Sequence, residues 1–189
     1  MKQVIWVYAV VLAVAASPAY AKGKGRKSAK VVSDQTFVEK AARGGEAEVE
    51  LGKLAAEKGS SDQVKKFGQR MADDHSKAND ELKSLAQTKN ITLPTNIGAK
   101  EKALKDRLSK MSGDAFDRAY MQAMVADHRK DVNEFRAESN TGKDPEVKAW
   151  ASKTLPTLED HLKLAQDTTK TVGTSGTLPS KKSSKFPPK

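Results

Sequence analysis

Residues 64–85, VKKFGQRMADDHSKANDELKSL, decide the fold. Val64, Phe67, Met71, Ala78, Leu82 and Leu85 recur at steps of three and four, with His75 filling the one gap in the row. That is the period of a helix burying one face, not of a strand. The rest of the stretch is Lys, Asp, Glu, Gln and Ser, a solvated face. Ser61 and Asp62 precede it as start signals, and Leu93-Pro94 follows it as a break.

The same grammar repeats outward. A first helix is expected over Asp34–Lys58, capped by Ser33 or Asp34, with Gly59 as a left-handed C-terminal residue. The second runs over Asp62–Lys89. A short helix near Lys100–Lys110 lies in the long connection before Gly113. A third long helix covers Asp114–Glu138, closed by Asn140-Thr141-Gly142. A fourth begins at Asp144-Pro145 and continues to about Lys170, with Pro156 inside it. The first long helix presents Phe37, Ala41, Gly44, Glu48, Leu51 and Ala55 on one face. The third presents Asp117, Met121, Met124, His128 and Phe135, and the fourth Val147, Trp150, Thr154, Leu158, His161 and Ala165. Alternating β-branched runs are missing. Four amphipathic helices of this length predict an all-α four-helix bundle over residues 33–170.

Outside the bundle the composition changes. The chain of 189 residues carries a net charge of +10, yet residues 31–169 hold 23 basic and 24 acidic side chains. The excess sits in residues 1–30 and 170–189, where no acid occurs. Lys2, the apolar run Val4–Ala16 and the small residues of Ser17-Pro18-Ala19-Tyr20-Ala21 read as a signal peptide cleaved after Ala21. The run is too short for a membrane anchor, and no second stretch is long enough to span. The expected address is periplasmic or secreted. Residues 22–32 and 171–189 read as basic, disordered segments. Their charge suits an anionic envelope surface. A near-neutral core gives no basic groove for nucleic acid. The absence of cysteine excludes disulfides, thiolate metal sites, iron–sulfur clusters and cysteine nucleophiles.

Each apolar stripe contains an ionisable residue well inside its helix: Glu48, His75, His128 and His161, the last three being every histidine in the chain. At a rise of about 1.5 Å per residue, Glu48 and His75 lie roughly 16–20 Å from the turn they share. His128 and His161 lie roughly 15 and 24 Å from theirs. Three imidazoles and a carboxylate at similar depth suit one zinc, copper or iron ion. Asp74 and Asp127, each just before a histidine, are candidates to orient the rings from behind. Met71 and Met124 stand one turn before a histidine, where a thioether would favour copper or simply fill the core. A purely structural Glu/His layer fixing the helix register is the competing reading. An enzyme has weaker support: Ser76 beside His75 faces elsewhere on its helix, and no phosphate loop follows a strand.

The segments FVEKAARGGEAEVELGKLAAEKGSS, VKKFGQRMADDHSKANDELKSLA, FDRAYMQAMVADHRKDVNEF and VKAWASKTLPTLEDHLKLA resemble the bacterial domain-of-unknown-function family 4142 over roughly residues 33–167. The resemblance implies an exported, ferritin-like bundle. Its motif positions fall on Glu48, Asp74, His75, Asp117, Asp127, His128, Pro156 and His161. It implies no activity. A ferritin-type di-iron centre needs Glu three residues before His on two helices. Here those positions are Ala72, Val125 and Leu158, so a mononuclear, histidine-rich site is the better expectation for any metal here. The expected role is non-enzymatic: an envelope binding or stress-related protein, or a scaffold held at the envelope by its tails.

Overall fold

The computed structural model describes residues 33–175, with side chains through Gly173. The expected signal peptide (1–21), the basic linker (22–32) and the tail beyond 175 lie outside the described residues. The described chain forms five helices and no strand: α1 (Asp34–Lys58), α2 (Asp62–Thr88), α3 (Ala99–Ser109), α4 (Gly113–Thr141) and α5 (Pro145–Ser175).

The helix starts follow their sequence signals. Ser33 Oγ accepts from Thr36 N at 3.2 Å, and Ser61 Oγ accepts from Val64 N at 3.3 Å. Asp144 Oδ1 accepts from the backbone N–H groups of Glu146 and Val147 at 2.9 and 3.1 Å, capping α5. The ends differ more. Gly59 has φ −51°, so the expected left-handed turn is absent. A Cβ there would lie 2.7 Å from Ala55 O, so close approach, not a positive φ, requires glycine. Asn90 takes the left-handed position instead (φ 55°) and stops α2 before Leu93-Pro94. α5 runs five residues past its expected end, with Val172 buried in the core. The start of the expected tail therefore belongs to the bundle.

Two hairpins, α1–α2 and α4–α5, pack against each other through α1 with α4 and α2 with α5. The turn of each hairpin is held by an aspartate at the start of the other. Asp117 on α4 is fully buried and accepts from Ser60 N and Ser61 N, both at 2.8 Å. Asp34 on α1 accepts from Lys143 N at 3.1 Å and Asp144 N at 2.5 Å. Each aspartate precedes the glycine of its own turn by 25 residues (Asp34 to Gly59, Asp117 to Gly142). These links place α1 and α4 antiparallel. The direction pattern is up, down, down, up, and the connection carrying α3 crosses between hairpins: the ferritin-like arrangement. We predict that Asp117→Asn, which removes the charge and one acceptor, costs about 2 kcal/mol in urea unfolding. A loss within error of zero would show that Asp117 does not tie the hairpins.

Within the first hairpin, small residues bring the backbones together. A Cβ on Gly52 would meet Gly68 O at 2.6 Å, and one on Gly68 would meet Gly52 O at 2.6 Å. A Cβ on Gly45 would collide with the Asn79 amide at 2.0 Å. Gly45, not the expected Gly44, is the buried glycine of that pair. The α1 face that meets α2 is a seam of small residues, invisible to a count of large apolar ones.

The core is divided. One cluster contains Leu51, Phe67, Met71, Tyr120, Met124 and Ala165. The other contains Phe37, Leu82, Phe135, Trp150 and Leu158. On every long helix the break between the two clusters falls at the ionisable residue of the stripe: Glu48, His75, His128 or His161.

Candidate metal centre

The three histidines converge at that break. His75 comes from α2, His128 from α4 and His161 from α5. Their ring centroids are 5.7 Å (75–128), 5.4 Å (75–161) and 5.4 Å (128–161) apart. One ring nitrogen from each lies within 4.8 Å of the other two. All three are buried, His75 being the only one with measurable exposure, at 7%.

The hydrogen bonds fix which nitrogens are free on two of the rings. His161 Nε2 lies 3.0 Å from Asp74 Oδ2, so it donates, leaving Nδ1 as the lone-pair nitrogen. His128 Nδ1 lies 3.1 Å from Met124 O, a carbonyl that can only accept, leaving Nε2 with the lone pair. His75 Nε2, His128 Nε2 and His161 Nδ1 are each buried without a partner. Burial holds all three rings below the usual histidine range, with the neighbouring imidazoles contributing for His75 and His128. His128 is pushed down to about 4. The rings are therefore neutral at neutral pH, the form that binds metals.

Asp74 fulfils the expectation of a ring-orienting acid, but for a histidine on another helix. Asp127 does not: it makes no hydrogen bond to a ring and acts on His128 as a nearby charge. Glu48 also departs from the expected role. It is fully buried, but its Oε1 approaches His128 Nδ1 at 3.9 Å, the nitrogen turned away from the free lone pair. It stands behind the trio, not within it. Burial first, then the charges of Asp127 and Asp131, holds its carboxyl well above the ordinary range. Met71 and Met124 lie in the hydrophobic cluster with Phe67 and Tyr120, filling the core. Asp117 is a structural cap. Tyr120, which with Phe116 flanks the apolar stripe of this helix in the sequence, is a buried phenol whose oxygen has no partner and whose acidity is suppressed by burial and Glu48.

The donor set fits a transition-metal ion. A structural layer would pair its polar atoms, whereas this one leaves a buried nitrogen unsatisfied on each of three neighbouring imidazoles, at about 1–3 kcal/mol each. Metal–nitrogen bonds of about 2.0–2.1 Å would draw the ring tips together by ~1 Å. Three neutral imidazoles with no bridging carboxylate suit zinc or copper better than a di-iron centre.

Comparison with known proteins agrees on the fold. A DUF305 fragment from Deinococcus radiodurans superposes with a TM-score of 0.64 at 13% identity, covering 75% of this chain and 95% of that one. CopM in its Cu(II)-bound form gives 0.63 at 16% identity, covering 74% and 97%. Its Cu(I)-bound form gives 0.62 at the same identity and coverage. No curated protein matches the sequence. The family model described as "Domain of unknown function (DUF4142)" matches residues 18–168, most of the chain, and the chain belongs to that family.

Proposed function

We propose that this is an exported, non-enzymatic protein of the cell envelope that holds one transition-metal ion, copper(II) first, on His75, His128 and His161. The observation that carries the reading is a trio of buried histidines whose rings each offer a nitrogen within 4.8 Å of the others and each keep a buried nitrogen without a partner. Imidazole suits copper and zinc, and copper(II) stands highest among the divalent ions for nitrogen sites. The likeness to CopM, a protein whose structures are described as copper-bound, supports the choice. Asp74 orients His161, and Glu48 backs His128. The basic segments outside the bundle hold the protein near an anionic envelope surface. Among the described residues no helix is long and apolar enough to cross a membrane, which fits a bundle that lies beside the envelope rather than in it.

The test is metal titration of the untagged protein by calorimetry and thermal unfolding. At an ion concentration a hundredfold above Kd, stabilisation is about 2.7 kcal/mol, or a Tm rise of roughly 5–10 °C. One equivalent of copper(II) should bind, with nitrogen coupling in its paramagnetic resonance spectrum. Neither binding nor a melting shift with copper, zinc or iron would return the trio to a structural role.

A further inference from the structure

A cavity of about 160 Å³ opens between the helices on the side of the second core cluster and reaches His75. His75 is the only member of the trio in its wall, and its Nε2 is one of the unpartnered nitrogens. From His75 outward, α4 contributes Asp127, Asp131 and Glu134, at successive steps of four and three on one helix face. We infer that this cavity is the port through which the metal ion reaches the trio, and that Asp127, Asp131 and Glu134 hand the ion inward. The inference rests on the proposed metal site and adds its access route.

Three observations carry it. His75 is more than nine-tenths buried yet lines the cavity, so one ring of the trio borders a space that communicates with the surface. His128 and His161 are absent from that wall and fully buried, so this side is the trio's open one. The carboxylates form a ladder of hard, exchangeable oxygen donors, suited to relaying an ion and weaker for copper than imidazole. The cations of the same wall are already engaged. Lys40 lies 3.7 Å from Glu134, Lys130 lies 3.5 Å from Asp131, and Arg43 donates to Asn96 Oδ1 at 3.2 Å. An arriving ion displaces exposed lysine heads, which re-enter water at small cost.

Gly44 supplies the means of testing it. It lines the cavity, and a Cβ built there meets nothing within 4 Å. Gly44→Phe would project its ring into open space and narrow the port without touching the trio. Gly44→Ala adds the Cβ alone. Asp131→Asn/Glu134→Gln removes two carboxyl groups, and with them negative charge, from the ladder and leaves its shape.

The experiment is stopped-flow loading of the full chain with copper(II), followed by tryptophan quenching, beside equilibrium titration of the same variants. Gly44→Phe should slow loading by at least about tenfold and leave Kd within a factor of two, while Gly44→Ala loads like the parent. The charge variant should load about tenfold more slowly and lose most of its dependence on salt, at the lower end of electrostatic steering. Unchanged rates in the charge variant, or in a folded Gly44→Phe, with copper binding intact, would overturn the port and leave the metal site standing. Failure of the parent to bind any copper would remove both.

Discussion

Gly68→Val should destabilise the bundle by about 3 kcal/mol, the upper end of what overpacking usually costs. The reason is the identity of the atoms in the way. A Cβ on Gly68 would lie 2.6 Å from Gly52 O and 2.8 Å from Ala56 N, both backbone atoms of α1. A flexible side chain can rotate aside, but a helix backbone can only translate. Moving α1 from α2 would open the contacts around Leu51, Ala55 and Phe67 in the same cluster. Helix propensity alone predicts the opposite sign, since alanine is favoured over glycine by about 1 kcal/mol in a helix interior. Gly68→Ala therefore separates the two effects: a net loss means that the close approach dominates. Urea unfolding with unchanged m-value is the measurement. A gain in stability for either variant would show that the hairpin tolerates a wider spacing, and would refute the seam.

How much of this was legible in the sequence follows from the range of each signal. The start of α1 and its full extent are local: Ser33 caps it, and Asp34–Lys58 matches the expectation. The convergence of His75, His128 and His161 is partly legible: helical period and depth along the axis allow three faces to share one layer, and the docking of the hairpins brings the rings together. Glu48 shares that layer, but period and depth resolve position only to about two turns, and it came to rest behind His128. Three histidines are each preceded by an aspartate, yet Asp74 reaches a ring on α5, a pairing set by how the hairpins dock. The same holds for Asp117, whose partners lie more than fifty residues away in sequence. Gly52 and Gly68 escaped notice because hydrophobic periodicity counts side chains, and their contribution is to have none.

His128→Leu separates function from stability, with opposite signs for the two. Copper(II) affinity should fall by more than about 100-fold. Disturbing a group behind a ligand already costs 10–100-fold, and this removes a ligand outright. The metal-free variant should nevertheless be at least as stable as the parent at pH 7, because an unpartnered buried nitrogen gives way to a methyl group of similar bulk. If the layer existed for stability, the variant would instead lose several kcal/mol. The pH dependence sharpens the contrast. The His128 ring titrates near 4 in the fold, against 6.5 for an unperturbed histidine. Between those values the unfolded chain binds a proton that the folded chain refuses, so stability falls as pH drops through 6.5 and the loss is complete below about 4. For this one group the loss is about 3 kcal/mol. Asp131 and Glu138, both held near 7, act in the other direction: their folded forms keep protons that the unfolded chain has released, so acidification favours them. Both carboxylates remain in the variant, and their effect cancels in the difference between parent and variant. That difference should shift by about 3 kcal/mol in the variant's favour from pH 7 to pH 4. A flat difference curve would mean that His128 is protonated in the fold, and with it the neutral, metal-ready trio would be lost.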